Sequence, residues 1–101
     1  MKPRYNLRIS LRYPFFLSNG RVKKRISAQE VNLLWGLMTR RYTTREATAE
    51  ILWPNPDVMP NDWRNTIGQH VFRLRRALKL FEWTIVFHRL VGYELQKTNP
   101  T

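Results

Sequence analysis

The stretch WRNTIGQHVFRLRRALKLF, residues 63–81, holds five Arg or Lys side chains and no acid. An arginine presents a rigid fork of donors that can meet two acceptors at once, such as a phosphate or the O6 and N7 edge of guanine. Arg73, Arg75 and Arg76 have no Asp or Glu within four residues on either side, so they lack the pairs that support an ordinary solvated helix face. Anion recognition is the chemistry this stretch can do. Rival chemistries find little support. Glu46 with Glu50, and Asp57 with Asp62, are the acidic pairs at useful spacing, but none has a nucleophile, a His partner or a Gly-rich phosphate loop. His70 and His88 do not form a metal-ligand pattern, and cysteine is absent, which excludes disulfides, thiolate metal sites and cysteine catalysis. Neither an enzyme nor a cofactor or metal is expected.

Positioning these side chains falls to a helix. Ile67, Val71, Leu74 and Leu78 lie within about 60° of arc at 3.6 residues per turn, giving one buried stripe. Gln69 and Arg76 point directly away, flanked by Asn65, Phe72 and Arg73. Gln69, Phe72, Arg73 and Arg76 are therefore the candidates for reading base edges. Phe72 leaves two readings open: packing against a wing or a neighbouring protomer, or contact with a thymine methyl group. His70 flanks the stripe and fits a satisfied core histidine.

The surrounding elements follow from local patterns. YNLRISL (5–11) alternates, with Tyr5, Leu7, Ile9 and Leu11 on one side, and predicts a half-buried strand. Strands over about 14–18 and 21–26 meet across Asn19-Gly20, the dipeptide of a type I′ hairpin turn. Ser27 and Glu30 form a capping box opening a helix with an apolar stripe at Val31, Leu34, Trp35 and Met38. Gly36 inside it suggests close packing. Thr43 or Thr44 caps a second helix that runs to about Leu52, with Ala47 and Ile51 inward, and Trp53-Pro54 ends it. PNPDVMPND is a stiff loop. WTIVFHRLVGYEL then predicts a hairpin broken near Arg89 to Gly92, with 96–101 frayed. Strands, three helices and a terminal hairpin make an α+β winged helix-turn-helix: an N-terminal antiparallel β-sheet, three helices and a C-terminal β-hairpin wing.

The bulk properties agree. A chain of 101 residues fits one domain (1–101, core about 5–95), and 43% hydrophobic residues suit a packed core. A net charge of +11 points to an anionic partner. No apolar run reaches the roughly 20 residues of a membrane helix, and no secretory leader is visible, so a cytoplasmic protein without membrane contact is expected.

The segments ISAQEVNLL (26–34), TTREATAEILW (43–53), NTIGQHVFRLRRAL (65–78) and RLVGYEL (89–95), in this order and spacing, resemble the OmpR/PhoB-type winged-helix effector domain of bacterial response regulators. The resemblance spans about residues 5–95. It implies a four-stranded N-terminal sheet, a recognition helix over about 64–79 in the major groove and a wing over about 84–95 at the minor groove. Trp53, Thr66, His70 and Arg75 fall on its phosphate-contacting positions, Arg73 on a base-reading one, and Arg89 and Tyr93 on wing contacts. Asn65 stands where Arg is frequent, and Arg64 beside it substitutes, so both join the backbone-contacting candidates. Gly68 replaces a usual Asp, and Phe72 a polar or basic residue. No receiver domain is expected ahead of the fold.

The leading expectation is a sequence-specific double-stranded DNA-binding transcriptional regulator. Possible further partners are RNA polymerase through loop 54–62 and a second copy on repeated half-sites. Two alternatives stay open: a non-specific, architectural nucleic-acid binder, and an adaptor binding RNA polymerase or another acidic protein. The basic N-terminal run (Lys2, Arg4, Arg8, Arg12, Arg21, Lys23, Lys24 and Arg25) is equally open between solvent, flanking DNA and an acidic partner.

Overall fold

Three short antiparallel strands open the fold: β1 (Arg8–Ile9), β2 (Phe16–Ser18) and β3 (Lys23–Arg25), in the order β1-β2-β3. The computed structural model describes residues 6–98. The expected strand over 5–11 narrows to two residues. Leu7 is buried, but Leu11 is 66% exposed because the chain bends away after Ser10, and Tyr5 lies outside the described residues. Leu17 is fully buried at the centre of β2, whereas β3 is exposed throughout.

The β2–β3 turn differs from the expected type I′. Ser18 pairs with Lys23 and the Asn19 amide donates to the Val22 carbonyl (3.2 Å), so Gly20 and Arg21 are the central residues. Only Gly20 has a positive φ, +90°, the pattern of a type II′ turn. The Asn19 side-chain oxygen accepts from the Arg21 and Val22 amides at 2.9 and 2.8 Å, a local bond that settles the register.

Helix α1 (Ala28–Thr39) carries the full capping box: Ser27 Oγ accepts from the Glu30 amide and Glu30 accepts from the Ser27 amide. Its buried set is Val31, Leu33, Leu34, Gly36 and Leu37. Trp35, expected inward, is 53% exposed. Advancing about 100° per residue, Leu33 and Leu37 carry the buried arc to the side away from Trp35, because α1 packs against both other helices. A Cβ on Gly36 would sit 2.5 Å from Ile51 Cδ1, so α1 and α2 approach closely there, although that methyl can swing aside.

Helix α2 (Arg45–Leu52) is capped by Thr44, whose hydroxyl accepts from the Ala47 amide at 3.0 Å. Thr48, Ala49 and Leu52 are its buried residues, while Ala47 and Ile51 are half-buried. A 3₁₀ turn at Pro56–Val58 breaks the following loop. Helix α3 (Trp63–Leu78) buries Ile67, Val71, Leu74 and Leu78, as its stripe predicted, and adds His70 and Ala77.

The chain ends in a hairpin of β4 (Trp83–His88) and β5 (Gly92–Lys97), paired from Trp83↔Lys97 to His88↔Gly92. Gln96 and Lys97, expected to fray, are therefore laddered. Only three strands make the N-terminal sheet among the described residues, against the four that the resemblance implied. Two long-range ties hold the hairpin. Thr43 and Tyr93 exchange backbone hydrogen bonds at 2.9 and 2.8 Å, and the Trp83 indole N–H donates to Asn6 Oδ1 at 3.0 Å. At the tip, the Val91 amide donates to the His88 carbonyl (3.0 Å). Arg89 and Leu90 are thus the central pair of a β-turn, and Leu90 has φ +68°. A bulky side chain in that left-handed region costs about 1–2 kcal/mol. The order of sheet, three helices and wing is a winged helix.

Candidate nucleic-acid interface

Helix α3 is held on one side and free on the other. The free face presents Asn65, Gly68, Gln69, Phe72, Arg73 and Arg76, all exposed. Phe72 is 57% exposed, so it does not pack against the wing within this chain. With Asn65, Gly68, Gln69 and Arg73 it lines an open groove. Neither Arg73 nor Arg76 makes an ion pair with a described residue, leaving two guanidinium forks directed to solvent.

The flanks of α3 divide the phosphate candidates. Arg64 and Arg75, eleven residues apart, share one flank at about 100° per residue. The Arg64 guanidinium lies over the Trp63 ring at 4.5 Å. Arg75 donates from both Nε (3.0 Å) and Nη2 (2.7 Å) to the Ile85 carbonyl. These two donors fasten the wing to α3, a contact beyond the phosphate role that the resemblance implied for Arg75. On the opposite flank the Thr66 hydroxyl turns back to the Asp62 carbonyl at 3.3 Å. His70 packs there edge-on to Trp53, ring centroids 6.1 Å apart. Both rings are buried, so Trp53 and His70 are first of all parts of the core.

Burial and then the nearby Arg73 charge push the His70 pKa below its ordinary 6.5, with Glu30 opposing. The neutral ring, which still offers one N–H, is the favoured form. In the wing, Glu94 accepts from Gln96 Nε2 (2.7 Å) and pairs with His88 Nε2 (2.8 Å). The Gln96 bond, then His88, hold its carboxyl below 4.5 against desolvation. For both groups the folded pKa is depressed, so the stability each contributes is present above its ordinary value and lost as pH falls through the folded one. The urea midpoint should accordingly start to fall once pH drops below 6.5, and His70→Gln should flatten that upper part of the profile. Parallel profiles for the two proteins would refute the assignment to His70.

The wing candidates also separate. Arg89 is exposed and lines a cleft with Arg45, Phe87, Leu90 and Val91. Tyr93 is buried against Phe87 (centroids 5.1 Å apart), and burial raises its phenol pKa. Its ring supports the wing from inside. Sequence reasoning missed Arg45, whose guanidinium stacks 4.6 Å over Phe87. Its position at the start of α2 was legible, but its partner 42 residues away was not.

Gly68 sits on the free face, where an added Cβ would meet nothing within 4 Å. Nothing inside the protein requires glycine there. Gly68→Ala should therefore raise stability by about 1 kcal/mol through helix propensity, visible as a higher urea midpoint. An unchanged or lower midpoint would contradict this.

No family model and no curated protein matches this sequence. Solved structures do match. One is the C-terminal domain of the nisin resistance regulator NsrR, a lantibiotic response regulator: 27% identity, TM-score 0.67, covering 87% of this chain and 90% of that one. A second represents a family of redox sensors in the streptococci that evolved from two-component response regulators: 25% identity, TM-score 0.73, covering 96% of this chain. The present chain spans 42% of that protein's length. The DNA-binding domain of the response regulator AdeR, in complex with an intercistronic region, is similar in fold alone: 16% identity, TM-score 0.70, 96% and 100% covered. The chain shares the winged-helix architecture of these response-regulator domains, in keeping with its resemblance to the OmpR/PhoB type.

Proposed function

We propose that this chain is a sequence-specific double-stranded DNA-binding domain of a transcriptional regulator. Helix α3 lies in the major groove and the wing reaches the adjacent minor groove. The observation that carries this reading is the free face of α3, where Gln69, Arg73 and Arg76 extend without partners among the described residues from a helix whose other side is fixed in the core. Arg73 and Arg76 meet guanine edges, Gln69 suits adenine, and Phe72 suits a thymine methyl group. Arg64, Asn65 and Thr66, with the ring N–H groups of Trp53 and His70, face the sugar-phosphate backbone, which fixes register without reading sequence. Arg89 serves the wing.

The test is selection of bound duplexes from a random pool. An enriched motif preferred about 10³-fold or more over random DNA supports the reading. A flat outcome with a steep salt dependence would instead leave a charge-driven architectural binder. A repeated motif would indicate two copies on tandem half-sites.

One observation favours an added protein contact. Loop 54–62 and α2 line an open groove with Trp53, Met59 and Trp63, and with Glu46 and Glu50. This mainly apolar groove, rimmed by two carboxylates, suits a protein segment that sets an apolar side chain beside a basic one, on RNA polymerase or another partner. Retention of polymerase after nuclease treatment would support it.

A further inference from the structure

We propose that Leu90 is an apolar wedge that enters the minor groove, unstacks a base step and bends the duplex; this rests on the DNA-binding reading above. Leu90 occupies the turn position where a positive φ favours glycine or asparagine, and it keeps φ +68°. It is also 96% exposed, so no burial within the chain offsets the strain. The fold itself gives no reason for leucine at this point, and an external contact does.

The tip is also presented stiffly. An unbroken ladder runs from Trp83↔Lys97 to His88↔Gly92, and the Thr43–Tyr93 bonds and the Arg75–Ile85 bonds fasten it from two sides. Val91 beside it is exposed as well, and Arg89 and Arg45 line the same cleft. A narrow apolar tip with cations beside it matches the minor groove, whose floor is flanked by two phosphate strands. Val91 and Phe87 add apolar surface beside it, so an anionic membrane or a protein groove is the rival occupant that the experiment below separates. Apolar side chains inserted between base steps unstack them and kink the duplex toward the major groove. Pyrimidine–purine steps yield most easily, so the selected motif should carry such a step at a fixed offset from the bases under α3.

The experiment compares the full chain with its Leu90→Asn variant, since asparagine accepts the backbone conformation. The probe is the duplex enriched by selection, with 2-aminopurine at the flexible step and a dye pair at its ends. The unsubstituted chain should brighten the 2-aminopurine and shorten the end-to-end distance. Leu90→Asn should unfold at an equal or higher urea concentration and keep the same base preference. It should lose the brightening and the bend, and bind about tenfold more weakly. If Leu90→Asn bends and binds as the unsubstituted chain does, the wedge is wrong while the α3 reading stands. If the unsubstituted chain binds no duplex at all, both fall. If the substitution instead abolishes binding to anionic vesicles or to a protein and leaves the bend intact, the tip serves that other partner.

Discussion

Valine in place of Gly92 should cost the fold more than about 3 kcal/mol, seen as a large drop in the urea midpoint with an unchanged slope. Gly92 has φ +127°, which alone costs a side chain about 1–3 kcal/mol. Any Cβ there would also press into backbone: the Thr43 carbonyl oxygen, its carbon at 2.7 Å and the Thr44 Cα at 2.9 Å. Backbone cannot rotate aside as a side chain can. Relief would separate β5 from Thr43 and break the two bonds of the Thr43–Tyr93 bridge, each contributing about 1 kcal/mol. Alanine should be nearly as harmful, because the offending atom is Cβ itself. A change within about 1 kcal/mol for either variant would show that the close approach is not needed. The bridge ties the α1–α2 connection to the wing, so these variants should also lose duplex affinity.

The contrast between Gly92 and Gly68 shows what a sequence carries and what it does not. Both stand in motif segments, yet one is packed against backbone and the other opens to solvent. That difference is set by Thr43, far along the chain, and no local pattern records it. Short-range features were legible: the Ser27–Glu30 capping box, the α3 stripe and the Arg89–Gly92 break each depend on residues within a few positions. Trp35 was misread because periodicity shows that a helix has a buried arc but not how wide it is. The arc on α1 widened toward Leu33 and Leu37 because two helices pack on it. The turn after β2 was misread because Asn19 uses its side chain on the Arg21 and Val22 amides instead of its backbone on a left-handed position.

The candidate interface was legible in the same uneven way. Charge and periodicity were enough to predict that Arg73, Arg76 and Gln69 face outward. Periodicity also set Arg75 on the flank about 100° from Arg76, but it gave no sign of what Arg75 would meet there. Only the fold brings the Ile85 carbonyl to Arg75. The basic β3 strand is a similar case. Lys23 lies over the Phe16 ring at 4.8 Å, and Arg25 donates to the Tyr13 hydroxyl at 2.9 Å. These cations are partly engaged within their own sheet, and composition alone does not show it.

Arg73 and Arg75 therefore should part company when each is replaced by alanine. Arg73→Ala should weaken binding to the selected duplex by about 1–3 kcal/mol, the worth of a bidentate contact to guanine. Its affinity for random duplex should change little, and its urea midpoint should stay close to that of the unsubstituted chain, since no described residue depends on its guanidinium. Arg75→Ala should show the reverse order of effects. It removes two charged donors from the Ile85 carbonyl, worth about 1–2 kcal/mol of stability for a partly exposed group. It loosens the wing while leaving the base preference of α3 unchanged. Titrations of both variants against selected and random duplexes, run at several salt concentrations alongside urea unfolding, separate the two roles. Equal loss on selected and random DNA for Arg73→Ala would make it a phosphate contact. No loss on either would remove α3 from the major groove. Full stability with a reduced salt slope for Arg75→Ala would return that residue to the phosphate role and undo its place as the anchor of the wing.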